Sequence, residues 1–193
     1  MKRLGCTVLA IAFFGLMSPL HASAQVAAFV GGGVTIPMGD FADFNGDAAG
    51  DDGANTGWQA SAGVLVPVGE AGLSVGARGF FGINKHDTPD GDKTNLYGAT
   101  GVGTFSFGSG TISPFIYAEL GFLTHSYKSE AFPSAEGSES GLALGGGAGI
   151  NFPLGGLSGF LVAGYLTGTG DVDATQVVGI SAGVNIPLGG DAM

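Results

Sequence analysis

The stretch Ser140–Gly170, SGLALGGGAGINFPLGGLSGFLVAGYLTGTG, contains no charged side chain. About 20 apolar residues suffice for a helix to span a bilayer, so length alone would make this run a membrane helix. Its composition opposes that reading. Gly145-Gly146-Gly147, Asn151, Pro153 and Gly155-Gly156 all fall inside it, and in a helix interior a glycine costs about 1 kcal/mol and a proline about 3 kcal/mol relative to alanine. Sorted at period two, the run separates cleanly. Leu142, Leu144, Ala148, Ile150, Phe152 and Leu154 share one face, opposite Gly141, Ala143, Gly145, Gly147, Gly149 and Asn151. Two strands that turn at Gly155-Gly156 explain the pattern, and a closed barrel of such strands is the alternative to a helix for crossing lipid.

Within this stretch GINFPLG, residues 149–155, is one of four copies of a pattern; the others are GVTIPMG (33–39), GVLVPVG (63–69) and GVNIPLG (183–189). Each has β-branched, aliphatic or aromatic residues, then a proline that removes a ladder donor, then a glycine suited to a turn. Each therefore marks a strand leaving the sheet. Parsed around these stops, the chain yields eight strands at 26–38, 57–68, 73–86, 95–108, 112–127, 140–154, 159–169 and 175–188. Their length suits tilted membrane strands, which need about 9–11 residues.

The connections alternate. Long polar loops (40–56, 87–94, 128–139 and 170–174) face three short turns at 70–72, 109–111 and 156–158. Long loops at one end and tight turns at the other predict an all-β fold, an eight-stranded antiparallel up-and-down transmembrane β-barrel with extracellular loops and periplasmic ends. The strand faces agree. Trp58, Ala60, Ala62, Val64, Val66 and Val68 oppose Gln59, Ser61 and Gly63; Leu73, Val75, Ala77, Phe81 and Ile83 oppose Ser74, Gly76, Arg78 and Asn84. The same sorting places Ile112, Ile116, Ala118, Leu120 and Phe122 against Ser113, Tyr117, Glu119 and His125, and Val178, Ile180, Ala182, Val184 and Ile186 against Ser181, Gly183 and Asn185. A soluble sandwich would carry Lys and Glu on its outer faces, and these strands almost lack them.

Composition bounds the rest. The chain has 39 glycines in 193 residues and only 11% charged side chains, far from average globular usage. Lys2 and Arg3, the apolar run from Val8 to Leu16, and Ala22-Ser23-Ala24 form a secretory signal over residues 1–24, so the expected barrel domain is 25–193. Cys6 precedes that apolar run, which argues against a lipidation site, and no cysteine follows it. Without Lys2 and Arg3, four basic residues face 16 acidic ones, a net charge of −12 that argues against nucleic acid as a partner.

The mature chain resembles the small eight-stranded outer-membrane barrels, the class of the OmpA transmembrane domain, OmpX and OmpW-like proteins. The residues that carry this are the strand layout from Gln25 to Gly189 and the opening GGGVTIPMGDF followed by TGWQ. The resemblance implies a monomer in the outer membrane of a Gram-negative-type bacterium, in contact with outer-membrane lipids and lipopolysaccharide and inserted by the outer-membrane assembly machinery. Members of the class commonly end in an aromatic residue; this chain ends Gly189-Gly190-Asp191-Ala192-Met193.

Arg78 and Glu119 are the charges inside strand cores, both on the lumenal face. Unpaired charges in a narrow lumen are costly, which predicts an ion pair with Gln59 and Tyr117 as hydrogen-bond neighbours. The pair reads as a structural plug or, in a pore, as a gate. In the first loop Asp43, Asn45 and Asp47 match the opening ligands of a calcium loop but lack its glycine and its closing glutamate, so solvated acidic loops are expected and no resident metal or cofactor is assigned; a calcium or magnesium ion bridging this loop to lipopolysaccharide phosphates is the alternative. His125 and Ser126, with Glu130, Glu136 and Glu139 nearby, have the residue types for acyl transfer, yet neighbours on a strand point to opposite faces. GATGVG (98–103) has no helix after it, and a phosphate cradle requires one. Trp58, Tyr97, Phe105 and Phe107 are expected in the interfacial girdles. These readings favour a non-enzymatic structural or surface-interaction protein. A small pore and a lipid A-modifying acyl hydrolase stay open as alternatives.

Overall fold

The computed structural model describes residues 26–42, 53–69, 72–86, 91–108, 110–129 and 133–188; the segment 1–24, expected to be a secretory signal, lies outside these residues. Eight strands run in chain order: β1 Val26–Pro37, β2 Gly57–Val68, β3 Leu73–Lys85, β4 Lys93–Ser106, β5 Ser113–Lys128, β6 Gly137–Leu154, β7 Leu157–Thr169 and β8 Gln176–Leu188. Every neighbouring pair is antiparallel, and β1 pairs with β8 from Val26↔Leu188 to Pro37↔Val177, so the sheet closes into an up-and-down barrel. The uncharged stretch 140–170 lies in β6 and β7, joined by the tight turn at Gly155-Gly156.

Strand ends differ from the sequence reading where chemistry and pairing part company. β6 begins at Gly137, three residues before the expected start, with Gly137, Ser138 and Glu139 paired to Tyr127, Ser126 and His125. Apolar alternation stops at the edge of lipid, whereas ladder hydrogen bonds continue into water. β4 lies two residues closer to the long-loop end than expected: the chain turns at Gly108, which adopts φ +80°, just after a last bond from the Phe107 N–H to the Pro114 carbonyl at 2.8 Å. The closing glycines of three heptapeptide copies, Gly39, Gly69 and Gly155, have φ of +55°, +68° and +64°, the left-handed conformation glycine adopts without strain.

Side chains alternate across this wall. Leu120 and Phe122 are 57% and 62% exposed, and Val64, Val75, Leu144 and Leu161 stand beside them on the outer surface. A continuous apolar belt of that size belongs in hydrocarbon. Aromatic contacts border it at both ends: Trp58 and Phe81 have ring centroids 5.7 Å apart near the long loops, and Phe105 and Phe107 are 5.0 Å apart near the short turns. Tyr97, paired with Phe81 across β3 and β4, joins the first group. Leu120→Arg, near the middle of the belt, should cost about 2–4 kcal/mol of stability, read from urea unfolding of the barrel in lipid vesicles.

Candidate functional site

The lumen is built in three layers. At mid-height, Nη1 of Arg78 on β3 donates to both carboxylate oxygens of Glu119 on β5, at 2.7 and 2.9 Å. Thr100, on the intervening strand β4, donates its hydroxyl to Glu119 Oε2 at 2.7 Å. The register explains this trio, since Arg78 faces Thr100 directly and Thr100 faces Gly121, two residues from Glu119. The Arg78 guanidinium also lies over the Phe80 ring, Cζ 5.0 Å from its centroid. The Glu119 side chain is 1% exposed, so its charge depends on these partners.

Gln59 and Tyr117 do not join this network. Gln59 donates to Ser181 Oγ at 2.9 Å. It sits four residues along β2 from Gly63, the partner of Arg78, which at about 3.3 Å per residue puts it beyond reach of the pair. Tyr117 is on the lumenal face of β5, one inward step closer to the short turns than Glu119, and its hydroxyl bonds to neither partner. Thr100 was not legible as a participant from composition. Counting residues across the two hairpins to set register is the signal that finds it.

Towards the long loops the lumen is filled. Phe80, Leu96, Leu123, Ala143, Leu166 and Val177 pack together, with Leu123 and Ala143 fully buried. Two short 3₁₀ turns, Gly39–Phe41 after β1 and Gly170–Val172 after β7, fold Phe41 and Val172 onto this layer. Polar side chains seal the rim above it. Thr35 Oγ1 donates to Asn84 Oδ1 (3.2 Å), Asn84 Nδ2 to the Asn55 carbonyl (2.8 Å), and His125 Nδ1 contacts Thr175 Oγ1 (2.9 Å). Tyr127 donates its hydroxyl to Asp92, and His86 Nε2 lies 2.8 Å from Thr94 Oγ1. Towards the short turns the lumen widens into a cavity of about 420 Å³, bounded at mid-height by Arg78, Tyr117 and Glu119.

His125 is thus a rim residue, held by Thr175 and packed edge-on against Phe41 at 5.5 Å. Ser126, on the opposite side of the strand, does not meet it. Asp43, Asn45 and Asp47 lie outside the described residues. Among the described residues no group of three or more His, Cys, Asp or Glu side chains is arranged to hold a metal.

The outer rim carries a second charged feature. Lys85 ends β3, Lys93 begins β4 and Lys128 ends β5; Lys85 faces Lys93 across one ladder and Lys93 faces Lys128 across the next. All three share the strand parity of Phe81, Tyr97 and Phe122, so they project outward from the barrel. Lys128 pairs with Glu136 at 2.7 Å, while Lys85 and Lys93 have no ion pair among the described residues. In the linear sequence these lysines are scattered; register alone aligns them.

Removing one member of the buried pair leaves the other uncompensated, so Arg78→Ala should cost about 3–5 kcal/mol, and Thr100→Val about 1.5–3 kcal/mol for the lost bond to a charged group, both measured by urea unfolding. In a planar bilayer Glu119→Ala should show no rise in steady conductance, because the apolar layer around Leu123 lies beyond the pair.

No protein-family model and no curated protein matches the sequence. Solved structures do match. Neisserial surface protein A (NspA) superposes with a TM-score of 0.61 at 13% identity, over 86% of this chain and 98% of that one. The N-terminal β-barrel domain of Pseudomonas aeruginosa OprF (TM-score 0.49, 12% identity, 85% of this chain and 100% of that) and Ail, the attachment invasion locus protein of Yersinia pestis (0.49, 15%, 86% and 100%), are also similar. At such identity the likeness is one of fold, and the NspA superposition carries it. Together with the closed eight-strand topology and the apolar belt, it gives this chain the fold of the small eight-stranded outer-membrane β-barrels.

Proposed function

We propose that the protein is a non-enzymatic surface barrel that works at the outer face of the outer membrane, seated there by phosphorylated glycolipid of the outer leaflet, lipopolysaccharide in a Gram-negative-type envelope. The observation that carries this reading is the lysine row. Like charges directly opposite one another in a sheet destabilise it. Here the three lysines form two adjacent like-charged pairs, in a mature chain whose net charge is otherwise strongly negative. An anion shared between them converts repulsion into attraction. Their position suits a phosphate at the boundary between acyl chains and sugar, since they stand one step of the pleat beyond Ile83 and Asn95 and two beyond Phe81 and Tyr97. The acidic loops above would repel the same headgroup, so the lysines also set how deeply the barrel sits.

The pore reading has less support, because the outer half of the lumen is packed with Leu96, Leu123, Leu166 and Val177. Acyl transfer has less still, with His125 and Ser126 on opposite faces of β5.

The test is binding of lipopolysaccharide to the refolded barrel, intact against enzymatically dephosphorylated. At about 1 kcal/mol per lysine near an anionic surface, the Lys85→Gln/Lys93→Gln/Lys128→Gln variant should bind the phosphorylated form about a hundredfold more weakly. Its affinity for the dephosphorylated form should match that of the unaltered protein. Equal affinity of variant and unaltered protein for the intact glycolipid would overturn the assignment.

A further inference from the structure

The inner half of the lumen has a feature that neither barrel closure nor surface binding uses. Arg78 commits one nitrogen, Nη1, to Glu119, while its Nε and Nη2 donate to no group among the described residues. The Tyr117 hydroxyl, on the same floor, also bonds to no group among the described residues. Both side chains line the cavity, and neither contributes a sealed, partnerless atom, so these donors face its open space. Tyr117 lies there against bare backbone: a Cβ at Gly147 would lie 2.8 Å from its ring, and one at Gly164 would overlap its hydroxyl. Above this polar floor the walls are apolar, formed by Phe29, Leu65, Phe115, Phe160 and Val162. The Asn185–Asn151 hydrogen bond (3.2 Å) and small serines stand at the mouth, beside the short turns.

We infer that this cavity is a binding site, open to the periplasm, for a neutral amphiphile: a compact aromatic or aliphatic body bearing a carbonyl or similar hydrogen-bond acceptor. Size, wall and floor each constrain the ligand. A volume of about 420 Å³ falls within the range of about 300–1,000 Å³ typical of small-molecule pockets. Apolar walls select the body. The floor selects the head, since the Arg78 guanidinium can only donate and the carboxylate beside it, Glu119, is 1% exposed. Charge selects neutrality. The guanidinium is already balanced by Glu119, so a second carboxylate would be buried beside the first without a counter-ion, which is costly. A ligand cation would find its approach to Glu119 blocked by Arg78. Entry is from the inner side, because the packed layer around Leu123 closes the outer one.

The experiment is nitrogen-15 NMR of the folded chain in detergent micelles. The sequence holds two arginines, Arg3 and Arg78, and the Nε–H resonance lost in Arg78→Lys reports the site. The probes are benzylacetone, a neutral aryl ketone, and hydrocinnamate, the carboxylate of the same skeleton. Benzylacetone should shift the Arg78 resonance saturably, hydrocinnamate at equal concentration should leave it in place, and Val162→Trp, which fills the cavity, should abolish the ketone response. Heat-modifiability on a denaturing gel establishes that Val162→Trp is folded; if it is not, the contrast between the two probes and the saturation of the ketone response decide alone. An unmoved resonance, a shift that grows linearly with ketone as micelle partitioning would produce, a ketone response that survives in folded Val162→Trp, or equal binding of hydrocinnamate would each overturn the inference.

Discussion

Every feature of this molecule depends on the closure of one hydrogen-bonded sheet. In hydrocarbon an unpaired backbone N–H or C=O costs several kcal/mol, so a sheet with two free edges is not stable there. The β1–β8 ladder removes both edges. Once eight strands close, the diameter follows, and with it an interior just wide enough for side chains to fill. What the lumen holds is therefore decided by how bulky and how polar the inward residues are, layer by layer.

Glycine makes that narrow interior workable. Phe160 reaches across β7 and β8 to β1, where a Cβ at Gly31 would lie 2.7 Å from its ring and one at Gly183 would clash with it as well. Phe115 lies over Gly149 and Phe29 over Gly63 in the same manner, each at 2.6 Å from the position a Cβ would occupy. The high glycine content thus reflects a packing rule, large inward side chains set against bare backbone on a neighbouring strand. The outer half follows the same rule, with Phe80 against Gly98 and Val172 against Gly141 and Gly168. There, however, the inward residues pack into one apolar cluster, whereas the inner half keeps its cavity.

Much of this was legible in the sequence, and the reasons differ by feature. Period-two alternation in Leu142–Leu154 identified strands because lipid outside and a narrow lumen inside impose opposite demands on successive residues. Arg78 and Glu119 stood out because charge inside such strands is rare and needs compensation. Thr100 and the lysine row were not legible, since both depend on which residue faces which across β3, β4 and β5, and an apolar pattern sets parity without setting register. The early start of β6 at Gly137 escaped for a related reason: serine and glutamate at a strand end carry no signature of pairing once the wall has left the bilayer. The outer packing layer was also missed, because Phe41 and Val172 come from segments that read as polar loops.

The β1–β8 ladder also bears on the order of assembly. Its partners are separated by most of the chain, Val26 meeting Leu188, whereas the other seven ladders join strands adjacent in sequence. Local hairpins form with little loss of loop entropy; the seam cannot form until the last strand is present. A nascent or truncated chain ending before β8 would hold seven strands and two open edges, with an apolar belt already made and no closed wall behind it. Insertion is consequently tied to completion of the polypeptide, and the final strand acts as the molecule's own checkpoint for entering lipid.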